Sequence, residues 1–156
     1  MDFKIADNPV RGNLSPEDLK FFYYDVAKLS ELELLIECYD EEFLELANGV
    51  GIELKPLEQQ TFSINKYELV ENKFIFNILK NKGKTKLSYQ TALFNHLRNS
   101  FSHYRISYKN GEKFFLMEDC LSNGYTMRGF VEIGKLKKLI FQLREYSDKQ
   151  IALQTK

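Results

Sequence analysis

Cysteine is scarce in this chain: Cys38 and Cys120 are the only two in 156 residues, and they match no metal-ligand spacing. That excludes a disulfide-built scaffold and a cysteine-based zinc site, and leaves two ordinary thiols. Neither charge is in surplus. Lys plus Arg and Asp plus Glu number 22 each, so the field of the whole protein cannot hold a long polyanion, and nucleic-acid contact would have to come from local patches. No run approaches the roughly 18 apolar residues that span a bilayer. The N-terminus, MDFKIADNPVRGN, has neither the basic nor the apolar region of a signal peptide. The expectation is a cytoplasmic protein with no membrane partner. Internal repeats and low-complexity segments are also missing. What is abundant is core-forming material, with 44% hydrophobic and 14% aromatic residues, enough for one domain over residues 1–156.

Residues 1–14 show no periodicity and read as a flexible lead-in. Ser15-Pro16-Glu17-Asp18 then gives an N-cap, a first-turn proline and first-turn acids, so a helix is predicted from there. Apolar residues from Leu19 to Leu46 recur at three- and four-residue steps. They predict one long helix, or two nearly collinear ones broken near Ser30, ending at Asn48-Gly49. Val50 to Ser63, with Gly51 and Pro56, reads as a connection. Tyr67, Val70, Phe74 and Ile78 then mark another helix, with a basic end running through Lys80, Lys82, Lys84 and Lys86. A further helix is predicted from Leu87 to His103 or Tyr104. It is followed by period-two segments around Asn110-Gly111, a second turn at Ser122-Asn123-Gly124, and a last helix on Ile133, Leu136, Leu139, Ile140 and Leu143. The expected fold class is mainly α: a helical bundle with a small β-hairpin or three-stranded sheet before its last helix.

The segment LSYQTALFNHLRNSFSH, from Leu87 to His103, contains a single Lys, Arg, Asp or Glu, which is Arg98, in a chain that is 28% charged. A solvated helix face would carry more. At about 100° per residue, the apolar stripe centred between Phe94 and Leu97 puts His96, Asn99 and His103 near the opposite side, with Arg98 on a flank. The two histidines, seven positions apart, are separated by about 10.5 Å of axial rise, which is poor geometry for ligating one metal ion. Their face is expected to meet another helix of the chain, the same helix of a second subunit, or a substrate groove. Metal-free RNA cleavage needs a base for the 2′-hydroxyl proton, a cation for the phosphorane charge and an acid for the departing 5′-oxygen. A histidine and an arginine suit those tasks. A twofold dimer through this helix would double both groups. A dipole-favouring His103 and an ion-paired Arg98 are the plainer alternative.

HLRNSFSHYRI, from His96 to Ile106, resembles the signature of HEPN-domain proteins: an arginine, a polar residue, and a histidine after four to six intervening positions. Arg98, Asn99 and His103 match it. The hairpin after the motif is similar to a plasmid- and phage-defence-associated HEPN subgroup. The resemblance implies an α-helical bundle that pairs through its motif helices, and a metal-independent ribonuclease in a toxin–antitoxin or phage-defence setting, with a possible antitoxin or defence-system partner. It implies His103 as the acid–base group, Arg98 as the phosphate-binding group and Asn99 as the residue orienting them. Where some antitoxin-neutralised members have a tyrosine two places after the histidine, this chain has Arg105, with Tyr104 adjacent.

The sequence therefore leads to a homodimeric endoribonuclease that leaves 2′,3′-cyclic phosphate and 5′-hydroxyl ends. Arg98, Asn99 and His103 are its candidate catalytic residues, with His96, Lys84, Lys86, Tyr104 and Arg105 as candidate substrate contacts. No metal or cofactor is expected. The alternative is a non-catalytic HEPN-like dimerisation module that binds RNA or a protein partner.

Overall fold

The structure, a computed structural model, describes residues 14–28, 35–62, 69–80, 83–108, 113–122 and 124–154. The lead-in before Leu14, the proposed break at Ser30 and the Asn110-Gly111 turn lie outside them. Ser15 caps α1 (Pro16–Lys20) by accepting the Asp18 N–H, and α1 runs directly into a π-helix, Phe21–Lys28. After α2 (Asp40–Gly49) come β1 (Glu53–Leu57), β2 (Lys73–Asn77) and the small antiparallel pair β3 (Leu79–Lys80) and β4 (Thr85–Lys86). Next are α3 (Tyr89–Ser102), β5 (Ile106–Tyr108), β6 (Phe114–Leu121), β7 (Gly124–Glu132) and α4 (Ile133–Gln154). Among the described residues, no helix is long and apolar enough to cross a membrane.

The mainly α expectation is overturned. Five strands form one mixed sheet in the order β1-β2-β7-β6-β5, parallel between β1 and β2 and antiparallel elsewhere, so the fold is α/β rather than a helical bundle. The predicted sheet of two or three strands after α3 is there as β5, β6 and β7. It is extended by β2 and β1, from the region read as a helix and a connection. Phe74, Ile75 and Phe76 are all buried because β2 lies inside the sheet and is covered on both faces. A doubly covered strand shows no polar alternation, so its apolar residues can be mistaken for helical spacing. Pro56 is accommodated because β1 is an edge strand, where a missing N–H costs no ladder bond.

The predicted long N-terminal helix is interrupted by a non-helical stretch before α2. There the Ile36 N–H donates to Ser147 Oγ at 2.8 Å and the Cys38 N–H to Gln90 Oε1 at 3.1 Å. Side chains from α4 and α3 thus satisfy backbone groups that a helix would have paired internally. The Cys38 thiol donates to the same Gln90 oxygen at 3.2 Å, and burial pushes its pKa up to about 11, so it remains a protonated, structural thiol.

The core lies between the sheet and the helices. α3 packs on β2 and β6 with one side and on the π-helix and α2 with the other, and α4 packs on β7, α2 and the π-helix. Phe101 of α3 stacks on Phe22 of the π-helix with ring centroids 5.8 Å apart. On the sheet, Gly129 of β7 sits opposite Phe74 of β2, and the Phe74 ring occupies the space where a Cβ at 129 would be. Gly129→Ala should therefore lower unfolding free energy by about 1–3 kcal/mol through overpacking. An unchanged urea midpoint would show that Phe74 moves aside freely.

Candidate functional site

The polar side of α3 turns inward, onto the sheet. Ser88 caps the helix by accepting the Thr91 N–H, and the Tyr89 N–H donates to Asp40 of α2 at 2.9 Å, which fixes the helix start. Two turns on, His96 is buried and held at both ring nitrogens. Nδ1 lies 2.8 Å from Asp119 Oδ2 on β6, and Nε2 lies 2.7 Å from the Asn77 carbonyl at the end of β2. A carbonyl only accepts, so Nε2 is the donor to Asn77. Asn99 Nδ2 donates to the same Asp119 oxygen at 3.2 Å, and Ser100 Oγ donates to the Glu118 carbonyl at 3.0 Å. The face carrying His96 and Asn99, expected to meet another helix, a second subunit or a substrate groove, thus lies against the chain's own sheet.

Further along, the helix ends in a Schellman turn. The Tyr104 N–H reaches the Phe101 carbonyl at 3.3 Å and the Arg105 N–H the Ser100 carbonyl at 2.8 Å. Tyr104, the residue after the His103 cap, has φ 58°, a left-handed conformation usually taken by glycine. This turn sets His103, Tyr104 and Arg105 in a defined, exposed array. Arg98 is half-buried on the flank. Arg98, His103 and Arg105 have no ion pair among the described residues.

The neighbouring carboxylates are already engaged. Glu118 of β6 pairs with Arg128 of β7 at 2.9 Å, and the Arg128 guanidinium lies 4.7 Å from the Tyr125 ring centroid. Burial, followed by the Glu118 charge, raises the Tyr125 hydroxyl pKa, and the charges of Arg128 and Arg105 act in the opposite direction. Arg105 therefore stands near this cluster as well as beside His103.

Not every predicted residue joins the array. Lys84 and Lys86 precede the other end of α3, about 21 Å away along a helix of 14 residues. Lys86 is also ion-paired to Glu58 at 2.6 Å. Arg98 and His103 are five positions apart, so their side chains leave the helix about 140° apart. Sequence reasoning missed Asp119, Asn77 and the Glu118–Arg128 pair. The available signal was Glu118-Asp119 inside the apolar run FFLMEDCL, since adjacent acids within a strand core need partners on both faces. Among the described residues no cluster of His, Cys, Asp and Glu is placed to hold a metal ion.

Removing one member of a buried hydrogen-bonded pair leaves the other without its partner. His96→Ala and Asp119→Ala should each cost about 3 kcal/mol of stability, and the double variant much less than their sum. A urea-denaturation double-mutant cycle measures this coupling, and additive losses would show that the two residues do not act together. No family model matches the chain, and the comparisons with curated proteins and with solved structures find no match either.

Proposed function

We propose that the C-terminal end of α3 binds RNA phosphate and that the chain is a metal-independent endoribonuclease of the HEPN kind. The observation that carries this reading is the exposed turn of His103 and Arg105 at a helix end fixed by the left-handed Tyr104, with Arg98 on the flank, none of these three having an ion pair among the described residues. Backbone strain of this kind concentrates where a side-chain arrangement serves a ligand. The nearest carboxylates support it too. Asp119 is engaged by His96 and Asn99, and Glu118 by Arg128, so neither is left without a partner to repel a phosphate.

In this reading the neutral His103 imidazole takes the proton of the 2′-hydroxyl, and the 2′-oxygen attacks the adjacent phosphorus. The bond from phosphorus to the 5′-oxygen breaks, and that oxygen takes a proton from water and leaves as a hydroxyl. A 2′,3′-cyclic phosphate remains on the other fragment. Arg98 and Arg105 offset the charge that builds on the phosphate oxygens. Asn99 is a positioning residue: its side chain is tied to Asp119, and its carbonyl accepts the His103 N–H at 2.9 Å. A toxin–antitoxin or phage-defence setting rests on the sequence resemblance alone.

The divergence of Arg98 from His103 favours a second reading, a non-catalytic module in which the same cations bind RNA or a protein partner without turnover. The two separate in one assay. Purified protein and its Arg98→Ala and His103→Ala variants are incubated with mixed cellular RNA in excess EDTA, and fragment ends are determined. The nuclease reading expects cyclic-phosphate ends from the parent, and a loss of rate of about 10²-fold or more in His103→Ala, the scale of a lost proton-transfer group. Retention of RNA with no cleavage by any of the three proteins would favour the binding module.

A further inference from the structure

Tyr104 stands where glycine is the usual residue. The position after a helix cap in a Schellman turn takes a positive φ, and Tyr104 holds φ 58° with a side chain that disfavours it. The ring does not offset this by packing in the core: it is 47% exposed and lies outside the hydrophobic cluster between sheet and helices. His103 and Arg105 on either side of it are exposed as well. What a tyrosine adds here is an aromatic surface beside the side chains assigned to phosphate.

A second aromatic surface lies across the sheet from Arg105. Ile106 of β5 pairs with Met117 of β6, which sets Arg105 opposite Glu118, and Glu118 is opposite Arg128 of β7. Directly opposed residues share a face, so the three form one row. Asp119 points toward α3, and Glu118 next to it therefore points to the other face, as do Arg105 and Arg128. Tyr125 is partly exposed beside this row, with its ring centroid 4.7 Å from the Arg128 guanidinium and its hydroxyl bonded to Glu118. The ring is thus tied at its hydroxyl and backed by a guanidinium on one face. The charge of Arg105 reaches the same hydroxyl.

Charge alone would hold an RNA strand weakly here. The chain has no net charge, and Arg128 is committed to Glu118, leaving Arg98, His103 and Arg105 for phosphate at this end of α3. About two or three phosphate contacts give an affinity that falls away with salt. Stacking an unpaired base on an aromatic ring strengthens binding by about fivefold to a hundredfold, whatever the base. A duplex keeps its bases stacked on one another and would present only ribose and phosphate to the two tyrosines. We propose that Tyr104 and Tyr125 are nucleobase platforms beside Arg105, one next to it in the chain and one across the sheet. The site then takes an unpaired segment of RNA, gripped by stacking rather than by charge and without regard to base identity. This assignment rests on the RNA reading of the α3 terminus, and it holds whether or not the strand is then cut.

The test uses the full chain and a labelled 2′-O-methyl RNA of about ten nucleotides, which lacks the attacking hydroxyl and so binds without being cut. Fluorescence anisotropy compares the single strand with the same strand annealed to its complement, for the parent, Tyr104→Gly, Tyr104→Phe, Tyr125→Leu and Tyr125→Phe. Urea denaturation follows the stability of each. The parent should bind the single strand at least about tenfold more tightly than the duplex. Tyr104→Gly and Tyr125→Leu should each lose about fivefold or more in affinity, and the two phenylalanine variants should stay within about twofold of the parent. Tyr104→Gly should do so with an equal or higher urea midpoint, because glycine takes φ 58° without strain, whereas loss of a tyrosine needed only for packing would lower it. Equal affinity for strand and duplex, undiminished binding by Tyr104→Gly or Tyr125→Leu, or an equal loss in the phenylalanine variants overturns the proposal while leaving the phosphate site standing. A parent that binds neither probe overturns the RNA reading itself, and the platforms with it.

Discussion

His96 joins the two layers of the molecule. Its imidazole bridges two strands, reaching the Asp119 carboxylate on β6 and the Asn77 carbonyl at the end of β2. Burying the polar side of a helix against a sheet is unfavourable unless each donor and acceptor finds a partner. Here Asp119 accepts from both His96 and Asn99, and the Glu118 carbonyl accepts from Ser100. With that side committed to the sheet, Phe94, Leu97 and Phe101 are free to pack toward the other helices. The Phe101–Phe22 stack then holds the π-helix in place.

The same seam fixes what appears at the helix end. Rotation of α3 about its axis is set by His96, Asn99 and Ser100, so the directions of Arg98 and His103 follow from residues bonded to the chain's own sheet. The Schellman turn stops the helix immediately beyond the seam and leads into β5, just before which the Arg105 carbonyl accepts the Glu118 N–H at 3.1 Å. The exposed array of His103, Tyr104 and Arg105 is therefore anchored on both sides of Tyr104, by the helix and by the sheet. Such support from regular elements is what a preorganised binding site requires.

Much of the molecule was legible from local pattern. Ser15 caps α1, Gly49 ends α2, and β5, β6, β7 and α4 follow the motif helix in the predicted order. These elements carry their signals within a few residues, as capping hydroxyls, turn residues, period-two alternation or a 3.6-residue stripe. The candidate site was legible to the extent that an Arg-Asn pair and a histidine stood out in a charge-poor segment. What the surrounding carboxylates do there was not, because Asp119 and Glu118 meet their partners only through the pairing of β6 with β7 and the packing of α3.

By itself, then, the sequence determined where α3 begins and ends, that its polar side would meet a partner, and that Arg98 and His103 would leave it in different directions. Tertiary structure decided that the partner is the chain's own sheet. It also made β2 a strand, since a segment covered on both faces loses the alternation that distinguishes strand from helix. The break before α2 likewise depended on Ser147 and Gln90, which lie 111 and 52 positions from the backbone groups they satisfy. Hydrogen-bond partners at that separation leave no trace in local periodicity, and they exist only once the helices have packed.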